Sequence, residues 1–169
     1  MKRLFLLLFA IVLSFTSSCE KDDLCTAGDI ASPRMVVVFK DAAIPTLIKE
    51  VEQLRVRVLG ATDFAPLDFE GSTLLETADT IYLPLRNFDD LTIYSFQRDN
   101  DDGFNSDSID FGYDRDSVYV NRACGFKNDY LDLTADLNLE TPDNPWIQDI
   151  IVVDQTINDS NEVHVEIYH

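Results

Sequence analysis

Basic residues are scarce in this chain of 169: 13 Lys and Arg stand against 31 Asp and Glu, a formal net charge of −18. Such a field repels nucleic acid, anionic lipid surfaces and lipopolysaccharide phosphates, and it favours solubility and divalent cations. Nucleic acid is therefore excluded as a partner. Histidine is nearly absent, with only His164 and His169, so a histidine-built metal centre has little to draw on. Long apolar runs are missing too: a membrane-crossing helix needs roughly 20 apolar residues, and the longest run here, over residues 4–13, falls well short. The chain has no Gly-x-Ser-x-Gly elbow and no His-Glu-x-x-His helix. Its aromatic share is too high, and its apolar runs too regular, for a disordered acidic tail.

The first 18 residues have the layout of a secretory signal: basic Lys2 and Arg3, the apolar run, then Ser14-Phe15-Thr16-Ser17-Ser18. The competing reading is a buried N-terminal core helix. Thr16-Ser17-Ser18-Cys19 resembles a bacterial lipobox, with Thr16 where leucine is usual. Cys19 is then the lipidated mature N-terminus, held by several acyl chains. Glu20-Lys21-Asp22-Asp23 looks like the charged signal that sends lipoproteins of Bacteroidota to the outer face of the outer membrane. The expected division is a signal peptide over residues 1–18, a lipidated tether over 19–24 and one domain over 25–169. Without Lys2 and Arg3, 11 bases face 31 acids, a net charge of −20.

Cysteine is limited to three residues, and Cys19 leaves Cys25 and Cys124 as a pair. Two thiols in an exported chain are most simply a disulfide. The loop it closes, about 100 residues, corresponds to roughly 4–5 kcal/mol of chain entropy. A metal site on the same two thiols needs further ligands, and neither histidine stands at ligand spacing to them.

From Met35 onward, short alternating or continuous apolar runs separated by turn residues predict strands. Met35-Val36-Val37-Val38-Phe39, after Pro33, reads as a buried strand, and residues 54–59 alternate with Leu54, Val56 and Val58 inward. Residues 81–85 alternate as well, and Pro84, which cannot donate to a ladder, puts that strand at an edge. Residues 91–96 and 109–113 give two more strands, joined by an acidic turn over 99–107. Val118 and Val120 share parity with Cys124 and are expected to face the core, as are Leu131, Leu133, Ala135 and Leu137. Residues 147–153 and 163–168 form a closing hairpin about Asn158-Asp159-Ser160-Asn161. Residues 46–53 read equally as a helix, a loop or a strand extension. The fold class is all-β, a single antiparallel β-sandwich of about eight or nine strands, immunoglobulin-like or transthyretin-like.

Cys25, the Arg122-Ala123-Cys124-Gly125-Phe126-Lys127 block, Leu83-Pro84-Leu85 and the ending from Asn144-Pro145-Trp146 to Val163-His164-Val165-Glu166-Ile167-Tyr168 carry a resemblance. Together they resemble the domain-of-unknown-function 6452 lipoproteins of Bacteroidota over nearly the whole mature chain. The resemblance implies an exported lipoprotein with a β-rich domain, and no activity.

Four constellations are candidates for chemistry. In the acidic stretch, Asp99, Asp101, Asp102 and Asp107 offer hard oxygen ligands for weak Ca²⁺ binding. The stretch departs from an EF-hand loop: counting from Asp99, glycine is fifth, not sixth, and the twelfth residue is Asp110, not glutamate. The plainer expectation is a solvated loop and no cofactor. Trp146, with Tyr82, Tyr94 or Tyr119, is a candidate glycan platform; the alternative is a tryptophan closing the core. His164 falls on the outward face of the last strand with Glu166 and Tyr168, and no nucleophile is evident near it. Thr80, Ser108 and Ser117 sit in Asp–Ser/Thr–apolar tripeptides that resemble O-glycosylation sites of Bacteroidota. The expected function is a lipid-anchored, non-catalytic outer-membrane lipoprotein, displayed at the cell surface, that acts as a structural or interaction module among cell-envelope proteins or glycans. The alternative is a glycan-binding accessory lipoprotein.

Overall fold

A β-branched run such as Met35–Lys40, MVVVFK, is stable as a strand when both its faces are covered, and here its first five residues are all buried. This computed structural model describes residues 25, 32–100, 103–138 and 145–169. In chain order the strands are β1 Met35–Lys40, β2 Val51–Val58, β3 Leu75–Ala78, β4 Thr80–Leu83, β5 Leu91–Asn100, β6 Gly103–Asn121, β7 Gly125–Asn138, β8 Asp149–Val152 and β9 Val165–Tyr168. No helix occurs among the described residues, so residues 46–53 are turn and strand. The leader, Cys19 and the tether lie outside the described residues.

The strands make two sheets, one ordered β4-β1-β9-β8 and the other β3-β2-β5-β6-β7. The β1–β4, β2–β3, β2–β5, β5–β6 and β8–β9 pairs are antiparallel. One pair departs from the antiparallel expectation: β1 and β9 run parallel from Val37↔Val165 to Lys40↔Tyr168. Pro84 follows β4, which is an edge strand, as its missing N–H requires. Ser32–Val118 and Lys127–His169 form one compact unit that holds the sandwich core. Tyr119–Phe126 and Cys25 belong to a second unit.

The core is filled from both sheets: Val37, Phe39, Ile81, Leu83, Val165 and Ile167 on one side, Leu54, Val56, Phe96, Ile109, Phe111 and Leu133 on the other. Three buried tyrosines hold the chain that leaves β4. Tyr94 donates its hydroxyl to the Pro84 carbonyl. Tyr113 Oη accepts the Arg86 N–H at 3.0 Å, and Tyr130 Oη donates to Asn87 Oδ1 at 2.8 Å. Burial pushes all three phenols above their ordinary range, so they stay protonated donors.

Several alternation readings change. The acidic turn expected over 99–107 is mostly ladder, because β5 and β6 pair from Leu91↔Gly112 to Asn100↔Gly103. Backbone pairing extends a hairpin beyond its apolar residues, so hydrophobic pattern alone ended the strands too early. In β7, Tyr130 and Leu133 are buried while Leu131 is only half-buried. Asp132 takes a left-handed conformation, φ 53°, which resets the alternation between them. Gln53, φ 49°, does the same in β2, where Val51 and Leu54 both reach the core. Val118 and Val120 stand outside the core cluster, and Cys124 lies in a turn after β6, not on a core strand.

His164 is the largest correction. It is 1% exposed rather than outward-facing. Its Nδ1 accepts the Val36 N–H at 3.0 Å, and its own N–H donates to the Val36 carbonyl at 3.0 Å. The strand β9 starts only at Val165, so alternation does not reach back to His164, and Val163 is exposed instead. The outer edge of β7 is covered in a similar way: Ile157 and Tyr130 exchange N–H···O bonds of 2.7 and 3.0 Å, and Leu133 donates to the Gln155 carbonyl.

Desolvation holds the His164 pKa below its ordinary value of 6.5, outweighing the carboxylates Asp154, Asp159 and Glu162. The unfolded chain therefore binds the proton more readily, so the contribution of a neutral His164 is intact above pH 6.5 and is lost as pH falls below it. Asp41 and Asp68 act lower still, since hydrogen bonds hold both below 3.8. Urea unfolding between pH 7.5 and 5 should show stability falling with pH, and His164→Gln should flatten that slope while lowering stability at pH 7.5.

Candidate functional site

Of the four acidic residues expected to offer metal ligands, Asp101 and Asp102 lie outside the described residues. Asp99 is exposed on β5, and Asp107 is 3% exposed on β6. The Asp107 carboxylate is already used, because its Oδ2 accepts the backbone N–H groups of Trp146 and Ile147, each at 2.8 Å. Two main-chain donors stabilise a buried carboxylate without a cation. Asp107 is thus a clamp on the chain entering β8. Among the described residues no group of three or more His, Cys, Asp or Glu is arranged to hold a metal ion.

Trp146 is 3% exposed and does not form a platform. Its ring packs against Phe39 and His169, with centroids at 6.4 and 5.6 Å, and its Nε1–H points to the Phe96 carbonyl at 3.4 Å. Tyr94 is also buried, and Tyr82 is half-buried against Phe69 at 4.8 Å. In the second unit, Tyr119 is exposed. The aromatic residues that sequence grouped as a glycan surface are therefore mostly core. Of the hydroxyls in candidate glycosylation tripeptides, Thr80 on β4 and Ser108 on β6 are half-buried, and Ser117 is exposed.

A different set of residues forms a cleft of about 490 Å³ lined by Lys49, Glu50, Glu52, Gln53, Arg98, Asp99 and His169. Backbone pairing assembles it. Lys49 N–H donates to the Phe39 carbonyl at 3.1 Å, and His169 N–H to the Lys40 carbonyl at 3.1 Å, so both flank the end of β1. The Lys49 ammonium donates to the His169 carbonyl at 2.8 Å and lies 3.7 Å from Asp41. Arg98, on β5, lies over the Trp146 ring at 5.1 Å.

The protonation of His169 follows from its partner. Nε2 is 3.1 Å from the Lys49 carbonyl, which only accepts, so Nε2 carries the hydrogen. Burial first, and then the Lys49 and Arg98 charges, depress the His169 pKa, with the Lys49 carbonyl and Asp41 opposing. The ring is neutral at pH 7, which leaves the Nδ1 lone pair as an acceptor. Neither that Nδ1 nor the Arg98 Nε has a hydrogen-bond partner among the described residues, although both are buried. The cleft itself is lined by the cations Lys49 and Arg98 and by the acids Glu50, Glu52 and Asp99. Among the described residues its lining includes no hydroxyl or thiol. No spacing along the chain links Lys49, Arg98 and His169; only the packing of β1, β5 and β9 joins them.

In the second unit, Cys25 and Cys124 form the expected disulfide, with Cα atoms 5.1 Å apart. Asn121 Oδ1 accepts the Ala123 and Cys124 N–H groups at 2.9 and 2.7 Å, folding the turn that carries Cys124. Gly125 closes this turn at φ 74°, where a side chain is strained.

A family model described as a family of unknown function (DUF6452) matches residues 63–169. No curated protein and no solved structure matches the chain.

Asp107→Ala should lower unfolding stability by about 2–4 kcal/mol in chemical denaturation, since two buried N–H groups lose their acceptor. Asp107→Asn, which keeps an acceptor oxygen, should cost less. In an NMR titration His169 should protonate below 6.5, and Arg98→Gln should move its midpoint upward by removing a neighbouring cation.

Proposed function

Since this chain belongs to the DUF6452 family of unknown function, we propose that it is a lipid-anchored, non-catalytic β-sandwich of the outer membrane, exposed at the cell surface, which acts as a structural or interaction module. The observation that carries this reading is the Cys25–Cys124 disulfide. Such bonds persist in oxidising compartments, and Cys25 stands six residues after Cys19, the cysteine that ends the lipobox-like stretch. An export leader, an acylation point and a bonded cysteine in this order describe a folded domain held next to a membrane.

The non-catalytic part of the reading draws on what the best chemical candidates are doing. His164 is held inside the sandwich by the Val36 N–H, Asp107 clamps two backbone amides, and Trp146 packs in the core. Each has a structural task. As an interaction module the domain offers the Lys49–Arg98–His169 cleft, whose charged and polar lining suits a polar segment of a cell-envelope partner. A glycan-binding role loses its main support with the burial of Trp146.

Mass spectrometry of protein from its native host should give a mature N-terminus at Cys19 carrying acyl chains, absent after Cys19→Ser. Protease added to intact cells should remove the domain. An unacylated N-terminus elsewhere, or full protection of the domain, overturns the anchoring or the surface display respectively.

A further inference from the structure

The tip of the β6–β7 hairpin combines three properties that occur together for a physical reason. Tyr119, near the end of β6, and Phe126, near the start of β7, are 58% and 63% exposed. Their rings are in edge contact, with centroids 5.4 Å apart and planes at 67°, so they present one continuous aromatic surface. Between them Arg122 is exposed in the turn that the disulfide closes.

Charge along the chain marks the same place. Residues 117–128 contain no acid, the longest acid-free run after Cys19 in a sequence where acids outnumber bases 31 to 13. Within that run Lys127 is held by Asp129 at 2.8 Å, which leaves Arg122 as the cation of the tip. A strongly acidic protein held against a lipid surface is least repelled where it lacks carboxylates. Aromatic rings with a nearby arginine are the side chains that settle at the boundary between headgroups and acyl chains.

Chain length supplies the occupant. Five residues separate Cys19 from Cys25, and six extended steps reach at most about 22 Å. Cys25 is bonded to Cys124, two residues from Phe126. We propose that Tyr119, Arg122 and Phe126 form a lipid-contact surface that sits in the interfacial layer of the bilayer holding the Cys19 lipid. This deepens the anchoring proposed above and rests on it. Anchor and aromatic tip then act as two membrane contacts joined by the disulfide, which restricts how the tip pivots about the lipid.

The test uses the full mature acylated chain in vesicles of phosphatidylcholine and phosphatidylethanolamine, with Phe126→Trp as reporter. The wild-type chain, whose only tryptophan is the buried Trp146, gives the background. The emission of the Phe126→Trp variant should shift to the blue and be quenched by brominated phosphatidylcholine beyond the wild-type level. If the variant remains bound through its lipid with no added quenching, the inference is overturned while the anchor stands. If native protein proves to be unacylated, the anchor reading fails and the tip is tested alone with Cys19→Ser. In that background Tyr119→Ser/Phe126→Ser should weaken vesicle partitioning by at least about tenfold, the scale of losing two interfacial rings. Equal partitioning overturns the inference. A blue shift that appears with native membranes but not with protein-free vesicles also overturns it, in favour of a protein partner.

Discussion

Two backbone N–H groups, those of Trp146 and Ile147, converge on one oxygen of the buried Asp107 carboxylate. Asp107 belongs to β6 in one sheet, and Trp146 and Ile147 lead into β8 in the other. A buried carboxyl group in that position is costly unless donors pair with it, as these two do. The chain just before β8 has no ladder partner of its own for these amides, so the carboxylate supplies what a strand neighbour would. With that segment fixed, Trp146 is laid into the core against Phe39, and Ile147 is buried in the same core. The β8–β9 hairpin and the β1–β9 parallel pair then follow in register.

The candidate cleft depends on the same clamp. Trp146 supports the Arg98 guanidinium on its face and the His169 ring at its edge. Burial beside the Lys49 and Arg98 cations lowers the His169 pKa from its ordinary value. Burial likewise lowers the pKa of His164, five residues earlier, whose Nδ1 accepts a backbone N–H where β9 has not yet begun. The two histidines thus have separate structural roles.

Much of the fold was legible. The MVVVFK run, the alternation about Leu54 and Val56, and Pro84 at an edge all express local rules, in which side-chain period and a missing N–H act residue by residue. The misreadings have a common cause. Asp132 and Gln53 adopt left-handed backbone that no residue type demands, and each shifts which neighbours face inward. The ladder of Asp99 and Asn100 and of residues 103–107 is held by main-chain bonds that composition does not report. The candidate site was less legible still, because Lys49, Arg98 and His169 come from distant parts of the chain.

Composition and local order were enough to set the class of the protein: an acidic, β-rich domain with one available cysteine pair and a short charged stretch ahead of it. Tertiary context has little power to alter properties of that kind. The role of each polar residue, in contrast, emerged from packing. Asp107 became a backbone clamp, Trp146 a core residue rather than a platform, and His164 a buried acceptor rather than a surface group. The reason is that burial and partnership are set by contacts between segments far apart in the chain, and a carboxylate or an imidazole has the same local signature whether water or a backbone amide meets it.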